Sequence, residues 1–323
     1  MKKEVDLNEV PVFIERIDRE LSKIIVGQKG IFKDIFRAVL CEGHVLLEGV
    51  PGIAKTLMIQ SLAKILGCNA NRIQFTVDLL PTDILGITMY NEMEKNFEIV
   101  KGPIFANFLI ADEINRSPPK TQSALLEAMQ ERKVSIGKTD FPLPRPFFVM
   151  ATQNPIEQSG VYPLPEAQVD RFLFKLIMKY PNSEEEEKIL ETNITTKNFN
   201  DYDLKAVLSP EKIIDLQKKV KNVYCSPEVK RYIVDIVQLT REKNTEISKY
   251  LVYGASPRAS ISLYIAAKAE ALMNGRNYVV PEDVKNVAHV VLRHRLILSF
   301  EAEADKISSD EIVDYLIKNV PAP

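Results

Sequence analysis

The chain has 323 residues, with 42 Lys and Arg against 44 Asp and Glu, so its formal net charge is −2. Hydrophobic residues at 46% and charged residues at 27% are the balance of an ordinary globular protein, and a chain this long can bury a large core without staples. Intrinsic disorder, collagen and a disulfide scaffold are therefore excluded for the chain as a whole, and no bulk charge attracts nucleic acid or an acidic membrane. The length allows about two domains. Cys41, Cys68 and Cys225 are far apart and no CxxC occurs, the pattern of free thiols in a reducing compartment. Met1-Lys2-Lys3-Glu4 leads into no apolar segment, and no run of about 18 apolar residues follows anywhere. The expectation is a cytoplasmic protein without membrane insertion.

In chain order, residues 27–42 read as a helix with Ile31, Ile35, Ala38 and Val39 on one face, followed by a short apolar strand from His44 to Glu48. A second helix follows Gly52 and ends near Leu66, with Gly67 as its stop. Further strands are expected at Arg72–Thr76, Phe108–Ala111, Phe147–Ala151 and Phe172–Met178, with a helix from Ser117 to Arg132 opened by Pro118 and Pro119. Strands spaced by helices in this way predict a parallel sheet covered on both faces. Tyr180-Pro181-Asn182 punctuates the chain, and the run Glu184–Glu187 reads as a helix N-terminus with Ser183 and Glu186 as a capping box. From Ser209 onward only helices are expected. Ser209-Pro210, Ser226-Pro227 and Ser256-Pro257 pair an N-cap with proline in the first turn, and Pro281 and Ser308/Ser309 open two more helices.

Three segments carry chemistry. Gly49-Val50-Pro51-Gly52-Ile53-Ala54-Lys55-Thr56 lies between an apolar strand and a helix, where loop amides and a helix N-terminus cradle phosphate. Lys55 is placed to reach the β- and γ-phosphates and the Thr56 hydroxyl to hold Mg²⁺. Ala54 stands where the phosphate-loop pattern has glycine, so by itself this stretch also reads as a Gly/Pro-rich turn before a helix. Phe108-Leu109-Ile110-Ala111-Asp112-Glu113 is an apolar strand ending in two carboxylates, at the strand end where α/β sheets bind ligands. Asp112 would organise Mg²⁺, and Glu113 would polarise an attacking water as general base. Thr152-Gln153-Asn154 follows another apolar strand, and Asn154 could bond the γ-phosphate or the water; alone, Asn-Pro after a strand is a turn. Arg171 and Arg258 add two cations. Arg258 sits in the first turn of a helix, where a cation gains nothing from the dipole and an anionic partner such as phosphate would account for it; a surface ion pair is the alternative for both.

Taken together these residues resemble the AAA+ ATPases and, within them, the MoxR family. The similarity extends through Leu79–Gly86, Gly102–Asn107, Ala111–Arg116, Lys120–Glu131 and Ala151–Pro155, and the family's phosphate loop usually carries alanine where Ala54 stands. The resemblance implies an α/β P-loop AAA+ core with a five-stranded parallel sheet and helices on both faces, followed by an all-α lid. The corresponding bounds are 1–190 for the core, 191–207 for a linker and 208–323 for the lid. It implies ATP and Mg²⁺ as cofactors. Nucleotide-binding positions are then Val26, Gly27, Gln28, Gly49, Pro51, Gly52, Ile53, Ala54, Lys55, Thr56, Leu57 and Arg258, with Thr56 and Asp112 holding the metal. Lys55 and Thr56 match Walker A, Asp112 and Glu113 Walker B, and Asn154 sensor 1. Arg171 matches the arginine finger that completes a neighbour's site, and Arg258 matches sensor 2, which couples the lid to the nucleotide state. Arg116 would also face the subunit interface. Residues 87–103 match the helix-2 insert and 132–146 the hairpin before sensor 1, elements that touch substrates in related machines. Members are expected to form homo-oligomeric, usually hexameric, rings that remodel protein clients as chaperones, often beside a partner protein with a von Willebrand factor A domain. No nucleic-acid partner is implied.

Competing readings remain distinguishable. A P-loop phosphotransferase would need neither sensor nor finger, and an ATP-gated scaffold that recruits a partner with negligible turnover would not need an intact Lys55, Glu113, Asn154 and Arg171. The magnesium-chelatase motor subunit is disfavoured by the short length and the MoxR-specific stretches. His44, His289 and His294 lack the spacing of a zinc site, and His44 reads as a packing residue. Arg293-His294-Arg295 reads as a solvated helix face.

Overall fold

A computed structural model describes residues 7, 9–49, 55–154, 160–192 and 202–323. The first part of the chain runs α1 Glu9–Leu21, α2 Lys29–Leu40, β1 Val45–Gly49, α3 Lys55–Ile65, β2 Ala70–Gln74, α4 Pro81–Leu85, β3 Gly86–Asn91 and β4 Asn96–Lys101. It continues through β5 Phe108–Asp112, a 3₁₀ turn Ile114–Arg116, α5 Pro119–Glu131, β6 Lys133–Ile136, β7 Thr139–Pro142, β8 Phe148–Gln153, α6 Glu166–Val169, β9 Phe174–Met178 and α7 Ser183–Thr192. The second part holds α8 Pro210–Asn222, α9 Pro227–Leu239, β10 Leu251–Tyr253, α10 Pro257–Met273, α11 Pro281–Leu292, β11 Ile297–Leu298, α12 Phe300–Ala304 and α13 Ser309–Asn319.

The five expected strands form one parallel sheet in the order β2-β5-β8-β1-β9. The apolar runs of the three central strands, β1, β5 and β8, are nearly unbroken because both faces are covered, whereas the edge strands β2 and β9 alternate. Side chains alternate between two cores: Val45, Leu47, Phe108, Ile110, Phe148 and Met150 face one cluster, and Leu46, Leu109, Ala111, Val149 and Ala151 face the other. The first cluster includes α1, α2, α3 and the helical second part, so the lid shares one apolar core with a face of the sheet. The second lies under α4 and α5.

Charges also tie the lid to the core. Arg37 on α2 and Glu270 on α10 are both buried, and Arg37 Nε donates to the Glu270 carboxylate at 3.0 Å. Lys33 reaches the other oxygen at 3.1 Å, and Asp34 takes the far end of the Arg37 guanidinium. Burying such a pair costs several kcal/mol per ion before the partners offset it.

Two antiparallel hairpins stand off the sheet, β3 with β4 and β6 with β7, where the resemblance places the two inserts. Two local readings are corrected and one helix is added. The cap of α7 is shifted by one residue: Asn182 Oδ1 accepts from the Glu185 amide at 2.9 Å and Glu185 accepts from the Asn182 amide at 3.0 Å. The asparagine competes better for the N-cap because its carbonyl oxygen reaches the orphan amide. The lid is not helical throughout, since β10 and β11 form a short antiparallel ladder. An additional helix, α1, packs Val10, Phe13, Ile17 and Leu21 into the core. The serine caps of α8, α9, α10 and α13 form as expected, with Ser209, Ser226, Ser256 and Ser308 each accepting a backbone amide.

Candidate active site

The carboxyl ends of the central strands collect the polar residues. Asp112 closes β5, Gln74 lies beside it at the end of β2, and Gln153 and Asn154 end and follow β8. Gly49 ends β1, and Lys55 opens α3. Residues 50–54, and with them Pro51, Gly52, Ile53 and Ala54, lie outside the described residues. Thr56 and Leu57 stand half-buried in the first turn of α3.

The Lys55 ammonium donates to the Gly49 carbonyl at the head of the phosphate loop. Burial pulls its pKa below the usual lysine value, against the pull of the Asp112, Glu113 and Glu48 carboxylates. A cation partly withdrawn from water beside three anions is suited to receive phosphate oxygens.

One hydroxyl joins the Asp112 carboxylate to the backbone of Glu113. Thr152 Oγ1 donates to Asp112 Oδ1 at 2.6 Å and accepts the Glu113 amide at 2.9 Å. Glu113 sits at φ 56°, a left-handed conformation that costs a side-chain-bearing residue about 1 kcal/mol or more. The Thr152 bond holds it there. On β2, Arg72 Nη2 donates to Asp112 Oδ2 at 2.7 Å, and Gln74 Nε2 donates to Glu113 Oε2 at 2.8 Å. Arg116 pairs with the same Glu113 oxygen at 3.1 Å. Asn154, which follows β8, is buried. The sequence reading passed over Arg72, Gln74 and Thr152 as site residues; only the alignment of strand ends shows that they meet the carboxylates. A hydroxyl and a carboxylate are the hard oxygen donors Mg²⁺ takes while keeping most of its waters, so Thr56 and Asp112 fit that ion.

Val26 and Gly27 precede Gln28, and Gly27 and Gln28 both have positive φ, at 73° and 58°. Gln28 Nε2 donates to the Lys179 carbonyl at 3.0 Å, and a Cβ on Gly27 would come within 2.5 Å of the Glu185 carboxylate. The segment is thus wedged against the chain leaving β9, beside the carboxyl ends of the strands.

Arg171 and Arg258 lie elsewhere. Arg171 precedes β9, and Arg258 pairs with Asp170 at 3.5 Å. Both line an open cleft of about 360 Å³ together with Gly43, Leu173 and Arg295. Gly43 and Leu173 precede β1 and β9, so this cleft is at the amino ends of the strands. The five residues of β1 separate it from the phosphate loop by about 16 Å. In this arrangement Asp170 holds Arg258 beside Arg171, away from Lys55.

The reading of Arg293-His294-Arg295 as a solvated face is also corrected. Arg293 Nη1 donates to the Lys175 carbonyl at 3.3 Å, His294 Nε2 to Phe172 at 3.1 Å, and Arg295 Nη2 to Phe172 at 2.8 Å. These carbonyls belong to the start of edge strand β9 and its approach, and carbonyls left outside the ladder need donors. His44 is a packing residue with both ring nitrogens bonded: Nδ1 accepts the Val149 amide at 3.0 Å and Nε2 meets the Met129 carbonyl at 3.2 Å.

Comparison with known proteins follows this geometry. Residues 44–174 match the ATPase family associated with various cellular activities (AAA), and residues 243–316 match an AAA lid domain. The chain is 47% identical to Chaperone MoxR1 of Mycobacterium tuberculosis over 96% of its own length and 82% of that protein. It is a MoxR-family AAA+ ATPase. An uncharacterised Bacillus subtilis protein, YeaC, is 46% identical over 94% of this chain and 92% of its own. A crystal structure of an ATPase candidate from Cytophaga hutchinsonii superposes with a TM-score of 0.91 at 45% identity, covering 98% of this chain and 97% of that one. The MoxR-family assignment agrees with the five-stranded parallel sheet and the helical lid. No helix among the described residues is long and apolar enough to cross a membrane.

Proposed function

We propose that this MoxR-family protein hydrolyses ATP at sites shared between subunits of a homo-oligomeric ring, a hexamer by family resemblance. The observation that supports this reading is the separation of Arg171 and Arg258 from Lys55, Asp112 and Glu113 at opposite ends of the same strands. One chain holds a phosphate lysine and a general base at one end, and the phosphate-binding arginines at the other. The two halves meet when the amino-end cleft of one subunit faces the carboxyl-end site of the next.

In that arrangement Lys55 and the loop amides bind the triphosphate, and Glu113 takes a proton from water as its oxygen attacks the γ-phosphorus. The bond to the β-phosphate oxygen breaks, leaving ADP and phosphate. Asn154 orients the water. Mg²⁺ held at Thr56 and Asp112 would neutralise charge on the phosphate oxygens. Arg171 of the neighbouring subunit stabilises the charge that develops in transfer. Arg258 joins Arg171 in that task rather than closing over its own subunit's nucleotide. The work done is chaperone-like remodelling or maturation of protein complexes, with a von Willebrand factor A domain protein as partner. The relative named a chaperone supports this reading, and the exposed hairpin β3–β4, with Met93 and Phe97 outward, offers a contact for the client.

The test is ATP hydrolysis per subunit against protein concentration, with size measured on the same samples and Glu113→Gln as the inactive reference. A rate that rises as assemblies form is expected. A monomer that hydrolyses at the full rate would overturn the shared site.

A further inference from the structure

Arg295 has no role in the reaction as described, yet it is buried and every direction of its guanidinium is used. Nε donates to Asp170 Oδ1 at 2.8 Å. Nη1 donates to the carbonyls of Leu173, at 3.1 Å, and Val291. Nη2 donates to those of Phe172 at 2.8 Å and Asp170 at 3.4 Å. The two carbonyls on Nη2 bracket Arg171 in the chain. Asp170 then carries the order forward. Its second oxygen accepts from the Ser256 hydroxyl at 3.2 Å and pairs with Arg258 at 3.5 Å. Ser256 is itself the N-cap of α10 and accepts the Arg258 amide at 3.2 Å. A single buried fork therefore fixes the backbone under one exposed arginine and, through one carboxylate, the helix start that carries the other.

We propose that Arg295 and Asp170 are positioning residues that present Arg171 and Arg258 as one two-pronged phosphate-binding unit to the nucleotide of the neighbouring subunit. The inference rests on the shared-site reading above. It also assigns the lid a task in the neighbour's chemistry: the strand approach bearing Arg171 and the lid helix bearing Arg258 cannot separate without breaking the Arg295 fork. Arg258, at the longest of the three contacts and the most exposed, is the member able to leave Asp170 for phosphate. A fork is required, because lysine has no planar set of donors to hold a carboxylate and several carbonyls at once.

The experiment uses mixed assemblies. Each variant is co-expressed with a Lys55→Ala chain, whose own phosphate site is dead and whose arginines are intact, and assemblies holding both chains are purified through two tags. Alone, Asp170→Asn is expected to lose about 10- to 100-fold in kcat, the size of effect a misplaced catalytic group produces, with the KM for ATP held within about twofold. Mixed with Lys55→Ala it is expected to regain hydrolysis, as Arg171→Ala does in the same mixture. If the Arg171→Ala mixture regains activity and the Asp170→Asn mixture does not, or if Asp170→Asn no longer binds a fluorescent ATP analogue, Asp170 serves its own subunit's site and the inference is overturned. If the Arg171→Ala mixture stays inactive, the shared-site reading fails and this inference fails with it. Should Asp170→Asn not accumulate as folded protein, Arg295→Lys, which keeps the buried charge and loses the fork, carries the same test with a smaller expected loss.

Discussion

At the carboxyl ends of β5 and β8, carboxylates dominate and are held by neutral and cationic partners from adjacent strands: Thr152, Gln74 and Arg72. At the amino ends of β1 and β9 the balance inverts: Arg258 and Arg295 pair with Asp170, Arg171 lines the same cleft, and the cleft's other carboxylate, Glu42, is held by Arg132 and Lys221. The first end has the Asp112 and Glu113 carboxylates beside Lys55, a cation partly withdrawn from water. The second has cations with forked geometry, and its carboxylates, Asp170 and Glu42, are held in ion pairs. On the shared-site reading proposed above, neither end is a catalytic site alone, although one sheet builds both. The sheet's rigidity also has a consequence: the distance between the ends cannot be closed within one chain.

The largest effect that would sharpen this contrast is loss of Arg171. Arg171→Ala is expected to lower ATP turnover by about 10³-fold or more while ATP binding persists, because a finger arginine acts on charge that appears only in the transition state. Single-turnover rates and equilibrium binding measured on the same preparation decide it; weakened binding with normal turnover would place Arg171 outside the chemistry.

A smaller effect concerns how the amino end is built. Burial pushes the His44 pKa down to about 4 from its ordinary 6.5. The unfolded chain therefore binds more protons than the folded one between those values, and stability is full above about pH 6.5 and falls as pH drops toward 4. Between pH 6.5 and 5 the loss attributable to His44 is about 2 kcal/mol. His294, buried and pushed down in the same direction beside Arg295, adds to the slope. Urea unfolding at the two pH values should show a shallower dependence in His44→Gln; an unchanged slope would remove His44 as its source.

The smallest effect tests the carboxyl end. Thr152→Val keeps shape and removes the hydroxyl shared by Asp112 and Glu113, and a fall of about 10-fold in kcat, or about 1.4 kcal/mol, is expected. A variant with wild-type turnover at every Mg²⁺ concentration would mean that the left-handed Glu113 needs no such support.

Much of the molecule was legible in the residues themselves. The apolar runs of β1, β5 and β8 became the central strands because a strand buried on both faces leaves an uninterrupted signature, and the edge strands β2 and β9 show alternation instead. The serine-proline pairs became helix starts because their capping is local. Other features left no such trace. Strands β3 and β4 are exposed along their length, so hydrophobic alternation does not mark them, and only resemblance pointed to an insert there. Helix α1 precedes the family's distinctive stretches and was passed over, though its apolar spacing is regular. The capping shift at α7 shows the resolution of such reading: Asn182 and Ser183 are both competent caps, and only the geometry selects between them.

What the sequence by itself determined is the chemistry carried on short contiguous stretches: the phosphate loop, the paired carboxylates, and the fold class that places both at strand ends. Tertiary structure alone decided the partners. Arg72, Gln74 and Thr152 meet Asp112 and Glu113 because three strands run in register, and Arg258 and Arg295 meet Asp170 because the lid packs against the start of β9. A cation near a helix end reads as solvated until the carbonyls that claim it are in place, and those carbonyls come from more than a hundred residues away in the chain.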